Sequence, residues 1–285
     1  MLQSMTGYGK TELQLPTKKI TIEIKSLNSK NLDLNVRTPS YYKEKEMKVR
    51  KTIASILVRG KVDFSIFVES IGESSSSQIN KETVVSYMNQ LKEISPASEL
   101  ELLEMAIRLP ETIQSKRESL DDNEWKEIEK GINIALKNIA TYRKDEGEVL
   151  KQDFLKRITV LQNLLDQVIT IDPQRIENVK ERLNKAISEI EVKVDENRFE
   201  QELIYYLEKF DITEEKVRLK NHLDYFLTEL NSETSNGKKL GFITQEIGRE
   251  INTIGSKANF ADMQKLVVQM KDELEKIKEQ NLNVL

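Results

Sequence analysis

The amino-acid sequence predicts an α+β chain: a small, mostly antiparallel N-terminal sheet with a helix, followed by a long helical hairpin and a C-terminal helical bundle. Three observations predict it. Period-two alternation is confined to the first quarter of the 285 residues, whereas apolar spacing of three and four fills most of the rest. Charged residues make up 32% of the chain, while glycine (10), proline (5) and aromatics (6%) are scarce, the composition of long solvent-exposed helices.

The elements follow in order. Residues 2–9 predict an initial strand. Residues 18–27 and 32–37 alternate on either side of Asn28-Ser29-Lys30-Asn31 and predict a hairpin, with Ile20, Ile22, Ile24, Leu32, Leu34 and Val36 on one face. From Tyr41 to Arg59, Met47, Ile53, Ile56 and Leu57 fall at helical spacing, and alternation resumes over Lys61–Val68. The serine-rich loop Gly72–Ser77 then closes the sheet region, and Pro96 and Pro110 punctuate short helices. A long helical pattern runs from Asp121 to Ile169, with Gly147 as a possible kink. Asp172-Pro173 reads as the start of a second helix, because the residue before proline disfavours helix and proline suits a first turn. These two segments predict an antiparallel hairpin with more apolar stripe than one chain covers, hence self-association; packing within the chain is the alternative. Three regions result: 1–155, 156–200 and 201–285.

Composition bounds the function. With 38% hydrophobic residues the chain can bury two ordinary cores. It has no cysteine, which excludes disulfides, thiolate metal sites and cysteine nucleophiles, and fits a reducing cytoplasm. No signal-peptide pattern opens the chain, and no run approaches the roughly 20 apolar residues of a membrane span, so no membrane partner is expected. The net charge of −4 argues against a generic polyanion binder unless basic groups concentrate locally. Gly7 and Gly9 lack the Gly-Lys-Ser/Thr continuation of a phosphate loop, so no nucleotide cofactor is expected.

In the last third, Thr213-Glu214-Glu215 predicts a helix start with the threonine hydroxyl as cap. Leu219, Leu223, Phe226, Leu227 and Leu230 form its apolar face, and Glu215, Arg218, His222 and Tyr225 an adjacent polar one. A following helix from about Lys238 buries Leu240, Ile243, Ile247, Ile251 and Ile254, leaving Gln245, Glu246, Arg249, Glu250, Asn252 and Thr253 opposite; Gly255-Ser256-Lys257 is expected to break it. The final helix carries a heptad-like seam of Met263, Leu266, Val267, Met270, Leu274 and Ile277.

The run Gln245-Glu246-Ile247-Gly248-Arg249-Glu250-Ile251-Asn252-Thr253-Ile254-Gly255-Ser256-Lys257-Ala258-Asn259 resembles the C-terminal signature of the YicC family. Ser4-Met5-Thr6-Gly7-Tyr8-Gly9, Asn28 with Leu32-Asp33 and Arg37, Arg59-Gly60-Lys61-Val62, Asp145-Glu146-Gly147, Gln201-Glu202 and Asp211 through His222 agree with it. Gly248 stands where the family has asparagine, and Ser29 where a basic or histidine side chain is expected. The resemblance implies an endoribonuclease acting on single-stranded RNA, assembled as a homohexamer with RNA in a cavity between subunits, and a divalent metal, Mn or Mg.

The residues offer two chemistries for RNA cleavage: a metal-activated water held by carboxylates, or a base on the ribose 2′-hydroxyl with an acid for the leaving oxygen. Glu246 and Glu250, four apart on one helix, are the candidate metal ligands and catalytic carboxylates; Arg249 would stabilise phosphate charge. His222, the sole histidine, is a candidate acid, base or ligand, its ring steadied by Arg218 and Glu215. Surface ion pairing and a partly buried histidine are the respective alternatives. Arg37, Arg59, Lys61, Arg218, Asn252, Ser256 and Lys257, with Lys238 and Lys239, are candidate RNA contacts, against simple solvation; Tyr8, Tyr41 and Tyr42 are candidate base-stacking rings. A non-catalytic RNA-binding adaptor and a purely structural helical oligomer compete with the nuclease reading.

Overall fold

The computed structural model describes residues 2–71, 77–115, 121–189 and 196–285. Its fold is α+β. Strand β1 (Gly7–Gln14) turns at Leu15, whose amide donates to the Lys18 carbonyl, into the antiparallel strand β2 (Lys18–Leu27). Strand β3 (Leu32–Arg37) leads through a 3-10 turn at Ser40–Lys45 into helix α1 (Glu46–Ile56) and strand β4 (Gly60–Ser70). The sheet order is β1-β2-β4-β3.

The hairpin expected at residues 18–37 does not form. β4 lies between its two arms, antiparallel to β2 and parallel to β3, and α1 is the crossover that parallel neighbours require. Burial explains the insertion. Ile20, Ile22 and Ile24 are fully buried and lie in register with Val68, Ile66 and Phe64 of β4, whereas Leu32, Leu34 and Val36 are only half-buried and suit an edge. The first strand lies at 7–14 rather than 2–9. In α1, Val49 and Ile53 face the sheet while Met47 and Ile56 are exposed, unlike the expected apolar set.

Residues 72–76 of the expected serine-rich loop lie outside the described residues. Beyond them, a two-stranded sheet, β5 (Ser77–Ile79) with β6 (Ile113–Ser115), brackets helices α2 (Lys81–Ile94) and α3 (Glu99–Ala106). Sheet structure is therefore not confined to the first quarter; three-residue strands are too short to show alternation.

Helix α4 (Asp122–Ser188) is continuous over 67 residues, about 100 Å long. Its buried positions recur at steps of three and four on one face. Trp125, Ile128, Ile132, Ala135, Leu136 and Ile139 enter the sheet core, and Leu150, Phe154, Ile158, Leu161, Leu165 and Val168 the C-terminal core. The helix start expected at Asp172-Pro173 is absent, so the two expected arms are one rod at that point. Pro173 and Ile169, whose carbonyl loses its amide partner, both sit on the exposed side of the helix, where losing that partner costs less than it would in the core. Asp172 is buried and accepts Arg175 Nε (2.8 Å) and Lys216 Nζ (2.7 Å), tying α4 to the next bundle helix through the proline turn. Gly147 is no kink. It makes room for the Leu2 carbonyl, which lies 2.3 Å from where a Cβ would be.

Helix α5 (Glu196–Lys209) precedes the bundle of α6 (Thr213–Leu230), α7 (Gly237–Lys257) and α8 (Ala261–Asn281). Asp211, not the Thr213 hydroxyl, caps α6: its Oδ1 accepts the Thr213 amide (3.0 Å) and hydroxyl (2.7 Å), bonds that hold its pKa down. α7 continues through Gly255 to Lys257 instead of breaking. Gly241, Gly248 and Gly255 are spaced by seven and meet Asn281, Leu274 and Val267 of α8, so they set a close helix contact rather than an end. The α8 seam is buried at Met263, Val267, Met270, Leu274 and Ile277, with Leu266 half-buried. No helix among the described residues is long and apolar enough to cross a membrane.

The two cores meet at Arg143, which is 2% exposed. Its Nη2 donates to the carbonyls of Met5 (3.0 Å) and Arg59 (3.2 Å) and to the Ser26 hydroxyl, joining the N-terminal segment, β2 and the start of β4 to α4. Burial lowers its pKa, and no carboxylate pairs with it among the described residues. Alongside, Met5 donates to the Asn283 carbonyl (2.7 Å) and Leu285 to the Gln3 carbonyl (2.9 Å), so the two ends of the chain pair. Arg143→Ala removes the donor to the Arg59 carbonyl and one of two donors to the Met5 carbonyl, which also accepts the Ser26 hydroxyl (2.7 Å), and is expected to cost roughly 3 kcal/mol in urea denaturation, with Arg143→Lys recovering part of it. Gly9→Ala forces a Cβ to 2.2 Å from the Ala135 carbonyl and should cost about 3 kcal/mol in the same assay.

Candidate nucleic-acid interface

An open groove of about 430 Å³ lies where the two halves meet. One wall is Asn28 and Lys30 of the β2–β3 linker with Arg59; the other is the start of α7, with Lys238, Phe242 and Gln245, and the end of α8. The linker is held out here because it passes around the start of β4: the Gly60 amide donates to the Asn31 carbonyl (3.3 Å) and Arg59 Nε to the Ser29 carbonyl (3.0 Å). Gly60 has φ +123°, a backbone conformation that favours glycine, which gives the Arg59-Gly60 pair its local reason. Asn236 caps α7 by accepting the Lys239 amide (3.1 Å).

The groove is lined by three cations, Lys30, Arg59 and Lys238, and by no carboxylate. On a chain of net charge −4 this is a local reversal of sign. The groove also opens onto a stripe: Lys238, Phe242, Gln245, Arg249, Asn252 and Ser256 recur at three- and four-residue steps along α7, and all are exposed. The stripe carries cations, amides, a hydroxyl and one aromatic ring.

Glu246 and Glu250 stand off this stripe, toward α6. Two ion pairs set the antiparallel register of α6 and α7: Lys239–Glu229 (2.6 Å) at one end and Lys257–Glu215 (2.7 Å) at the other. His222 then falls level with Gly248 and Arg218 level with Asn252. Glu250 is 5% exposed, and its carboxylate has no hydrogen bond or ion pair with a described residue. Glu246 lies 4.0 Å from the exposed Arg249. Among the described residues no group of three or more histidine, cysteine or acidic side chains forms a metal-type cluster, so His222 does not complete a set with the two glutamates.

The other expected residues are dispersed. Arg218 pairs with Glu214 and Glu215 with Lys257, so neither steadies His222, which is half-buried without a polar partner among the described residues. Lys257 also donates to the Asp211 carbonyl (3.0 Å), and Ser256 Oγ to the Thr253 carbonyl (2.9 Å). Arg37 is exposed at the far end of β3, and Lys61 at the start of β4 beside Arg59. Of the tyrosines, Tyr42 is buried against Trp125 with its hydroxyl on Glu124, Tyr41 packs edge-on against Tyr42, and Tyr8 bonds Glu23 (3.2 Å). Sequence reasoning passed over Lys30 and Phe242. The signal for Phe242 was an aromatic residue on the polar side of an otherwise regular amphipathic helix.

The family model described as the N-terminal region of YicC-like endoribonuclease matches residues 2–152, and the YicC-like endoribonuclease C-terminal model matches residues 168–285. A protein of Clostridioides difficile (strain 630) named probable endoribonuclease YicC is 33% identical over 293 residues, and one of the same name from Haemophilus influenzae (strain ATCC 51907 / DSM 11121 / KW20 / Rd) is 27% identical over 288 residues; each match spans the whole of both chains. With both halves of the groove inside the matched regions, the chain belongs to the YicC-like endoribonuclease family.

Proposed function

We propose that this protein is an endoribonuclease that binds single-stranded RNA along the groove and the α7 stripe and cuts it beside Glu246 and Glu250. The carboxylate-free, cation-lined groove on an acidic chain carries the reading. Lys30, Arg59 and Lys238 hold backbone phosphates, Arg249, Asn252 and Ser256 extend the track, and Arg37, Lys61, Arg218 and Lys257 supply outlying positive charge. Glu250 takes a proton from the attacking oxygen, Arg249 offsets charge on the phosphate, and His222 is the proton donor to the leaving oxygen.

Glu246 and Glu250 would hold a Mg or Mn ion only loosely, as two ligands that no third acidic or histidine side chain joins among the described residues. Two carboxylates one turn apart, one of them without an ion-pair partner among the described residues, suit a hard cation that keeps most of its waters and takes further oxygens from phosphate. Such an ion would acidify water and neutralise phosphate charge. Self-association supports a cavity between subunits, a homohexamer by family resemblance: in residues 176–189 and 198–210 no described side chain is buried, although the segment contains Phe199, Leu203, Ile204, Tyr205 and Leu207. The acidic net charge and single histidine favour one other reading, an adaptor that binds RNA without cutting it.

Two measurements test the proposal. With 5′-labelled single-stranded RNA, Glu250→Gln should lower the cutting rate at least about 100-fold while binding and oligomeric state are retained, and EDTA should abolish cutting. Persistent cutting in EDTA with loss in His222→Ala would instead indicate metal-free acid–base chemistry, and binding without cutting by wild-type protein the adaptor. Lys238→Ala should weaken RNA binding and reduce the slope of log affinity against log salt by about 0.7, measured by fluorescence anisotropy.

A further inference from the structure

We infer that Phe242 is a stacking platform for one unpaired base, with the amides of Gln245 and Asn28 at that base's edge, so that the groove selects single-stranded over duplex RNA. The inference rests on the groove being the RNA site and adds what it recognises there.

Phe242 is 62% exposed, belongs to neither hydrophobic core, and has no ring contact with a described residue. It lies on the α7 stripe between Lys238, four residues before it, and Gln245, three after it, so the ring stands between a cation and an amide on one helix face. Leaving a phenyl ring in water inside a polar groove forgoes the stabilisation that burial gives such a side chain. A nucleobase supplies the missing surface: its flat face covers the ring, while its edge offers donors and acceptors that a neutral amide can read in either sense. Gln245 and Asn28 stand on opposite walls of the same groove, and Lys30, Arg59 and Lys238 flank them for the phosphates of the strand that carries the base. In a duplex both faces of each internal base are already stacked, so the ring has nothing to bind. The fit is therefore to an unpaired base and not to RNA in general.

The test compares Phe242→Ala, Phe242→Tyr and Phe242→Trp in the full chain, with a short unpaired RNA, the same RNA containing abasic positions, and a blunt-ended duplex without a loop. Phe242→Ala should weaken binding of the unpaired RNA about 5- to 100-fold and leave duplex and abasic affinities unchanged; the tyrosine and tryptophan variants should bind like wild type, and the indole of Phe242→Trp should be quenched by the unpaired RNA but not by the abasic one. Equal losses on all three RNAs, or none on the unpaired RNA while Lys238→Ala and Arg59→Ala still weaken it, would overturn stacking and leave the groove as a phosphate track. Wild-type affinity in all of these variants would reject the groove itself. A changed oligomeric state in Phe242→Ala with RNA affinity intact would overturn the inference in favour of a protein contact at the ring.

Discussion

The buried face of α4 is the constraint on which the rest of the structure depends. One helix supplies side chains to two cores, Trp125 to Ile139 beneath the sheet and Leu150 to Val168 within the helical bundle, and both sets lie on the same stripe. A rigid rod with a fixed angular step leaves little freedom in how the sheet and the bundle sit about it. Where the stripe passes from one core to the other, its members are Arg143 and Gly147. Neither adds apolar area. The arginine gathers the Met5 and Arg59 carbonyls, from the segments leading into β1 and β4, onto α4, and the glycine admits the N-terminal backbone against the helix surface.

The groove is a consequence of that joint. Its walls come from residues far apart in the chain, the β2–β3 linker and Arg59 on one side and α7 with α8 on the other, and no local interaction holds them together. They are held by the chain-end pairing of Gln3 and Met5 with Leu285 and Asn283, by Arg143, and by the Gly237 amide donating to the Leu285 carbonyl (2.9 Å). The opening motif Ser4-Met5-Thr6-Gly7-Tyr8-Gly9 and the Asp145-Glu146-Gly147 motif thus have a common structural meaning. Gly7 and Gly9 lie on Ile139 and Ala135, and Gly147 on Leu2, so these are mating surfaces of strand and helix rather than ligand loops.

Charge separates the two sides of α7. On its exposed side the helix offers Lys238, Gln245, Arg249, Asn252 and Ser256; toward α6 it offers Glu246, Glu250, and the paired lysines Lys239 and Lys257. The acidic excess of the chain is therefore kept off the groove. Net charge is a sum over the surface, whereas a polyanion responds to the local field, which is screened beyond about 10 Å at ordinary ionic strength.

Much of this was legible in the sequence, and what was legible has a local cause. Helical periodicity, strand alternation and composition report the chemistry of neighbours along the chain, so the α+β class, the long helix, the C-terminal helices and the buried seam of α8 could be read directly. The carboxylate pair on α7 was legible for the same reason: a four-residue step is one turn. Tertiary structure alone decided the remainder. Alternation cannot say which strand a strand will pair with, so the insertion of β4 between β2 and β3 depended on which apolar faces could be fully buried. A proline and two helical glycines look like breaks in one dimension, yet the exposed side of α4 tolerates Pro173, the Leu2 backbone fills the space at Gly147, and Val267 of α8 fills that at Gly255. The groove, Lys30 within it and the exposed ring of Phe242 exist only because α4 and the paired chain ends bring distant segments together, and no spacing rule along the sequence encodes that distance.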